Sequence, residues 1–365
     1  MYTEKELQLL DLIRTNPYAS QVELAEKLHL SRPSIANLIS GLTKSGAIKG
    51  RAYVLAETNS ILVFGGMNID RKMIVKDQLV FHTSNPVTSY QTAGGVARNI
   101  AENLGRLGHE VKLLSAAGKD LEFEFLREKT AQWADMHYCL QSENERTGTY
   151  TAILDQQGEM QLALADMEIY KSITPEWILQ NENLFPNASL IVIDLNIEKD
   201  SITTLLHLAK RYKVPVAIVP VSGPKMKNLP EDLSGVEWLI CNHGEAELVT
   251  SLQINDQKSL KKAHQVLQER GIRKTVITNG ENGISYSEND KVEKMSAMKP
   301  KQVVDVTGAG DSFVAATLHC WLKTGTIEPA LKAGLLNATK TLESNYTVRP
   351  ELTEEGLIKE MEELK

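Results

Sequence analysis

Residues 305–313 read Asp-Val-Thr-Gly-Ala-Gly-Asp-Ser-Phe. Gly308 and Gly310 have no Cβ, so backbone N–H groups can converge there, and a helix starting at this point aims its positive end at the same place. Gly308, Ala309 and Gly310 then form an anion hole suited to a phosphoryl group in transfer. Asp311 lies at the rim of that hole. A carboxylate is a poor ligand for phosphate, but a good base for the proton of an attacking hydroxyl. The alternative is an Asp-capped helix after a glycine turn.

A second glycine motif is Ala93-Gly94-Gly95-Val96-Ala97-Arg98-Asn99. Paired glycines at a helix entry let a small ligand approach the backbone, and the Asn99 amide can both donate to and accept from vicinal hydroxyls. Upstream, Gly65-Gly66-Met67-Asn68-Ile69-Asp70 closes an apolar strand. Asn68 and Asp70 thus fall where ligands bind in α/β folds, at the carboxyl ends of strands. Either motif alone also fits a helix cap or a turn. Arg98 is read as pairing with a surface acid.

The third motif, Asn242-His243-Gly244-Glu245, directly follows the strand Trp238–Cys241. Asn242 and Glu245 can share one face toward phosphates, with Glu245 acting on Mg²⁺ through water. They also form a capping box, and the two readings are compatible. His243 has no second His or Cys placed to join it as a metal ligand.

These residues need a scaffold. The chain has 365 residues, enough for two or three domains, and 42% hydrophobic with 24% charged residues is ordinary for a soluble globular protein. Apolar strands are predicted at 61–65, 111–116, 190–195, 214–220, 238–241 and 275–278. Helical patterns lie between and after them at 97–108, 121–133, 200–212, 244–250, 257–270, 311–323, 327–343 and 351–364. Such alternation predicts a mostly parallel sheet covered on both faces. Alternating segments within 71–92 and 146–168 break the rhythm and predict a small β-sheet lid, with Gln156-Gln157-Gly158 as one of its turns. Cys139, Cys241 and Cys320 are far apart, which excludes a disulfide framework and common Cys-rich zinc sites. The start has no signal-peptide pattern, and no stretch approaches a membrane span. A cytoplasmic protein with no membrane partner is expected.

The net charge of −7 is unevenly spread: residues 1–54 carry +2 and the remainder −9. From His29 to Val54 there are four basic residues and no acid. This sign change places a domain seam at 56–60, giving domains at 1–55 and 60–365. In the first, Leu9, Leu12 and Ile13 define a helix ended by Pro17. Ser20 and Glu23 form a capping box for a second helix, which packs through Val22, Leu24, Ala25 and Leu28. Ser31 caps a third, with Pro33 in its first turn and Ile35, Leu38, Ile39 and Leu42 facing the core. Residues 49–54 fit the second arm of a wing. The segment resembles a bacterial winged helix-turn-helix. That resemblance implies that helix 32–43 enters a major groove, with Arg32, Ser34 and Asn37 reaching bases or phosphates and Lys44, Lys49 and Arg51 holding the backbone. The alternative is a small bundle that docks on its own chain or mediates dimerisation.

From about residue 60 to 350 the chain resembles the PfkB or ribokinase family of sugar and nucleoside kinases. Asp305–Asp311 matches the family's DxTGAGD signature, with Val306 in its variable position, and the GG and NxxE signatures are present. The resemblance implies a ribokinase-like three-layer α/β/α sandwich with a β-sheet lid, ATP, Mg²⁺ and a monovalent cation such as K⁺ held in part by Asp305. It also implies that Thr278, Gly280 and Gly283 line the nucleotide and that Asn337 borders the adenine. The two resemblances, to a kinase with such a lid and to a helix-turn-helix, also imply a homodimer.

The substrate-side segments, Thr83-Ser84-Asn85-Pro86, 94–104, Asp166-Met167-Glu168, 194–197 and 220–222, resemble the pseudouridine kinase branch of this family. That implies a nucleoside whose 5′-hydroxyl lies beside Asp311 and whose 2′- and 3′-hydroxyls are gripped by Asp70 and Asn99. Ser84, Asn85 and the lid would surround the base, with Asp166 and Asn196 contributing. Val219-Pro220 departs from the Asp-Pro often found there. Other nucleosides, a sugar, or a role as a nucleoside-sensing transcription regulator remain open alternatives.

Overall fold

The computed structural model describes residues 2–15, 19–50, 60–289 and 291–363. The chain divides into two compact units, 1–57 and 58–365.

The first unit holds three helices, α1 (Glu4–Thr15), α2 (Gln21–Leu28) and α3 (Arg32–Lys44). Ser20 and Glu23 form a reciprocal capping box on α2, and Ser31 caps α3 with Pro33 in the first turn. Leu9, Leu24, Ala25, Leu28, Ile35 and Leu42 form the core, with Leu38 and Ile39 against it. Val22, expected in that core, is 49% exposed: it lies on the solvent side of α2, off the stripe formed by Leu24, Ala25 and Leu28. Pro17 and the wing residues 51–54 lie outside the described residues.

The second unit runs in the order β1 (Ser60–Phe64), β2 (Asn68–Val75), β3 (Val87–Gly94), α4 (Val96–Arg106), β4 (Val111–Leu114), β5 (Ala116–Gly118), α5 (Leu121–Thr130), β6 (Leu140–Ser142), β7 (Thr149–Leu154) and β8 (Met160–Asp166). It continues with α6 (Pro175–Gln180), β9 (Ala188–Asp194), α7 (Lys199–Tyr212), β10 (Val216–Val219), β11 (Val236–Asn242), α8 (His243–Thr250), α9 (Gln257–Glu269), β12 (Lys274–Thr278), β13 (Ile284–Glu288) and β14 (Lys291–Met295). Three helices close it: α10 (Ala309–Thr324), α11 (Ile327–Leu342) and α12 (Glu354–Glu362).

The main sheet has the order β14-β13-β12-β11-β10-β9-β1-β4. Its strands are parallel from β4 through β12, and β13 and β14 add an antiparallel edge that the apolar pattern did not reveal. Alternate residues of the parallel strands divide between two cores. Ile61, Val63, Leu113, Val192 and Ile240 pack against α4, α5, α10 and α11. Leu62, Phe64, Ile191, Ile193 and Ile218 pack against α6 and α7. A sheet buried on both faces needs continuous apolar runs, and those runs are what made the strands legible. The stretch 111–116 is two strands, not one: after Leu114 the chain leaves the main sheet and β5 pairs with β6.

The second sheet, in the order β3-β2-β7-β8, is the lid expected from 71–92 and 146–168. Strand β8 is exposed throughout, as befits an edge strand with no layer over it.

Candidate active site

The carboxyl ends of β1 and β9, the base of the lid and the start of α10 meet at one cluster. Asp194 ends β9 and is fully buried. It accepts hydrogen bonds from the backbone N–H of Gly66 (2.8 Å), Ala97 (3.0 Å) and Asn196 (2.9 Å), and from Asn196 Nδ2 (3.2 Å). It therefore ties both glycine turns to one carboxylate. A Cβ on Gly65 would stand 2.2 Å from that carboxyl group, which explains the glycine there. Tyr170 supports the same turn, donating from its hydroxyl to Met67 O (2.8 Å) and accepting from Met67 N–H (3.0 Å).

At the lid base, Asn68 Nδ2 donates to Asp70 Oδ1 (2.6 Å), and the Asp70 carboxyl lies against Gly94, where a Cβ would be 2.0 Å away. Burial pushes Asp70 up to about 6, against the opposing pull of the Asn68 hydrogen bond. Gly95, with φ +99°, brings the start of α4 onto the Gly66 carbonyl; a Cβ there would be 2.4 Å from that oxygen.

Asn99 is buried on α4 and donates from Nδ2 to Asp311 Oδ2 at 2.8 Å. Its Oδ1 accepts from Arg98 (3.0 Å), so the amide is held with its N–H₂ toward Asp311. Arg98 is not at the surface as expected. It is 3% exposed, pairs with Glu102 and donates to Thr130 Oγ1 at 3.0 Å. A guanidinium has five donors, and burial requires partners for them.

Asp311 sits in the first turn of α10. Gly308 precedes it at φ +83°, and a Cβ there would be 2.1 Å from the Thr347 carbonyl, so only glycine fits. At Gly310 a Cβ would meet nothing within 4 Å, which leaves open space over the turn. The N–H groups of Gly310 and Asp311 have no intrachain acceptor among the described residues and remain available to an anion. Burial, reinforced by the charges of Asp194 and Asp70, pushes Asp311 up to about 7, while the Asn99 hydrogen bond pulls the other way. A recessed carboxyl that titrates near neutrality beside an anion hole suits a general base.

Elsewhere on the sheet, Asn242 and Glu245 cap α8 reciprocally at 2.9 Å each way. Burial raises the carboxyl of Glu245 against the Asn242 N–H bond. Asn242 pairs in register with Thr278 on the neighbouring strand. Beside them, the turn through Gly280 and Gly283 borders a cavity of about 220 Å³ lined also by His243, Asn279, Asn282 and Ser285.

Three expectations need correcting. Asn337 does not border a pocket. It is fully buried, donates to Asn103 Oδ1 (3.2 Å) and Ser312 O (3.0 Å), and accepts from Arg349 Nε (2.8 Å). Its amide is committed to joining α4, α10 and the Arg349 segment. Ser84 and Asn85 stand apart from the cluster, in the loop at the far end of the β2–β3 hairpin. Seven register steps separate the Asn68/Gly94 pair from the Val75/Val87 pair, roughly 24 Å of strand. Asn85 holds its own loop through Val80 and Thr83. Asp305 is already engaged: Lys72 Nζ pairs with it, and Thr307 donates its N–H (3.0 Å) and hydroxyl (2.7 Å).

Two more of the expected residues belong to this end of the second unit. Asn196 is buried beside Asp194, with its Oδ1 lacking a partner. Asp166 is exposed on the lid edge, in register with Thr149, which pairs with Ile69 at the lid base. In the first unit, Arg32, Asn37, Lys44 and Lys49 are exposed, and the Ser34 hydroxyl contacts Ser31 Oγ at 2.8 Å. Arg51 lies outside the described residues.

A family model for pfkB carbohydrate kinases matches residues 58–354. The chain belongs to that family. Residues 3–49 match the winged helix-turn-helix DNA-binding model. Among relatives, the chain is 31% identical over 300 residues to a pseudouridine kinase of Escherichia coli, covering 82% of this chain and 95% of that one. It is 27% identical to a guanosine-inosine kinase of Exiguobacterium acetylicum, covering 83% and 98%. An Agrobacterium tumefaciens carbohydrate kinase superposes with a TM-score of 0.71 at 27% identity, covering 83% and 97%. Arabidopsis thaliana ribokinase, solved with ribose and ATP, has the same fold, with a TM-score of 0.74 at 18% identity over 83% and 98%. This chain is therefore an ATP-dependent sugar or nucleoside kinase of the pfkB family, preceded by a winged helix-turn-helix module. No helix is long and apolar enough to cross a membrane among the described residues.

The fit to metals differs between the two ions such a kinase is expected to use. Mg²⁺ usually arrives on the nucleotide phosphates and needs only one or two protein carboxylates, often through water. Glu245, with only Oε2 hydrogen-bonded among the described residues, fits that requirement. The Asp305 loop does not fit a monovalent cation, because an ammonium already balances its carboxylate. The sequence assigns no site role to Asp194, Arg98 or Lys72. Asp194 had a signal, standing at a strand end two residues before Asn196. Arg98 and Lys72 acquire meaning only from partners far along the chain or across a helical turn.

Proposed function

We propose that this kinase transfers the γ-phosphoryl group of ATP to the 5′-hydroxyl of a nucleoside, with pseudouridine as its preferred acceptor, and that residues 1–55 bind DNA. The observation that carries the kinase chemistry is the Asn99–Asp311 hydrogen bond beside the open turn of Gly308–Gly310. The 31% identity to a pseudouridine kinase over most of both chains supports the nucleoside.

The steps follow from the residues. The 5′-hydroxyl donates to Asp311, which takes its proton as the oxygen attacks phosphorus and the bond to the leaving ADP oxygen breaks. The free N–H groups of Gly310 and Asp311 and the α10 dipole hold the developing negative charge. Asp70 and Asn99 accept and donate to the vicinal hydroxyls, and Asn196 Oδ1 accepts another donor at the same end of the sheet. Asn68 keeps Asp70 oriented. Glu245 would hold Mg²⁺, which would supply charge shielding for the phosphates. Lid strands β2 and β7 cover the acceptor and exclude water as a competing nucleophile. The exposed Arg32, Asn37 and Lys44 of α3 suit a groove-facing helix.

The test is ATP consumption by the full chain with Mg²⁺ against pseudouridine, uridine, cytidine, inosine, guanosine and ribose. A kcat/KM for pseudouridine at least about tenfold above the others, with product phosphate at the 5′ position, is expected. Preference for another acceptor overturns the substrate. For the module, a chain lacking residues 1–57 should lose DNA binding and keep turnover; retained DNA binding overturns that role.

A further inference from the structure

The loop that leads into the anion hole meets the lid through one charged contact. Lys72 lies on β2, in the lid, and its Nζ pairs with Asp305 and lies 3.3 Å from Thr307 Oγ1. Thr307 in turn gives its N–H and hydroxyl to the other oxygen of the same carboxylate. Ammonium, carboxylate and hydroxyl form one closed unit directly before Gly308.

This unit has a function beyond packing. Asp305 is a fixed negative charge three residues from Gly308, where the incoming phosphoryl group adds more negative charge. Like charges at such range oppose each other, so something must balance Asp305. Lys72 does so from within the chain. Its side chain is about a third exposed, so a surface ion pair here adds little to stability. Its value lies in the local field and in holding Thr307 and the Gly308 turn in shape. The structure assigns to Lys72 the part of a resident monovalent cation: we propose that its ammonium replaces a bound K⁺ at Asp305 and makes the kinase independent of monovalent cations. Because Lys72 lies on lid strand β2, the balancing charge comes from the same element that covers the acceptor. Lys72 is a positioning residue, acting on the anion hole through Asp305 and Thr307.

The inference rests on the kinase reading for its rate effect, and the experiment separates the two. Turnover and unliganded melting temperature are measured for the full chain, K72M and K72R, in choline chloride and in KCl at about 0.1 M, where ionic strength is matched. The wild type should turn over equally in both salts. K72M should lose at least about tenfold in choline and regain part of that in KCl, while K72R stays cation-independent. In the melting experiment, K⁺ over choline should raise the midpoint of K72M and leave the wild type unchanged, because only the variant offers Asp305 to a bound ion. A wild type activated about tenfold or more by K⁺, or stabilised by K⁺ as much as K72M, overturns the proposal. So does K72M matching the wild type in choline, or showing no K⁺-specific stabilisation. If no acceptor is phosphorylated, the kinase reading fails, and the melting result alone decides the role of Lys72.

Discussion

Asn99 Nδ2 and Asp311 Oδ2 are 2.8 Å apart, although 212 positions separate them in the chain. This hydrogen bond joins the two glycine turns of the site into one constellation. It is anchored on one side by Arg98, which fixes the amide, and on the other by the Gly308 turn. The ligand-gripping amide and the base are thus a single unit, and removing either partner changes the other.

Replacing the base, D311N, should lower kcat by roughly 10²–10⁴. The same change should raise the melting temperature. The Asp311 carboxyl is raised from 3.8 to about 7 in the folded chain, so the native state binds the proton more tightly than the unfolded state does. The stability it contributes is present in acid and is lost as pH rises from about 4 through 7. A neutral amide avoids that loss. Thermal melts of D311N and the wild type at pH 5 and pH 8 should therefore diverge at the higher pH. A D311N protein with near-normal turnover would exclude Asp311 as the base.

The pH profile of the wild type carries the same signature. kcat/KM should rise with pH and level off above an inflection near 7, because only ionised Asp311 accepts the proton. Asp70, raised to about 6, should add a second inflection on the acid side as its ionised form is needed to accept from a hydroxyl. In D70N the lower inflection should disappear, and the upper one should persist but move to lower pH, because the Asp70 charge no longer helps to raise Asp311.

Gly308 and Gly310 should fail differently. G308A forces a Cβ into the Thr347 carbonyl at a positive φ, so it should unfold at lower temperature, with a cost of about 1–3 kcal/mol. G310A meets no protein atom, so it should fold normally and lose turnover because its methyl group fills the anion hole. Melting curves beside steady-state kinetics distinguish the two.

Asn337 should behave as a structural residue. N337A leaves Arg349 and Asn103 short of partners, so it should lower stability by about 1–3 kcal/mol, while KM for ATP in the folded fraction stays unchanged. A selective rise in that KM would return Asn337 to the nucleotide site.

In the N-terminal unit, K44A and K49A should weaken DNA binding across sequences and reduce the salt dependence by about one ion each. N37A should change sequence preference more than salt dependence. Fluorescence anisotropy on full-length protein at several salt concentrations reads both effects.

Much of this was legible in the sequence because it is local. The apolar runs of β1, β9, β11 and β12 follow from burial on both faces of a parallel sheet, and the helix caps at Ser20, Ser31 and Asn242 involve residues three apart. The motif around Asp311 needed only glycine geometry and the direction of one helix. The antiparallel edge β13–β14 was missed because β13 alternates Ile284 and Tyr286 with buried serines, and β14 is polar and largely exposed, so neither strand shows an apolar run.

What the sequence could not determine was how the polar groups pair. A glycine at 65, 94 or 308 announces a close approach but not its partner, and only the fold supplies Asp194, Asp70 and Thr347. Asn337 reads like a ligand contact until Arg349 and Asn103 are found around it. Asn85 reads like a base contact until the hairpin register carries it to the far end of the lid. Asp305 reads like a cation site until Lys72 reaches it across 233 positions. Backbone conformation and burial are set by neighbours along the chain, so spacing reveals them. Hydrogen-bond partners and counter-charges are set by the packing of distant segments, so the tertiary structure alone decides them.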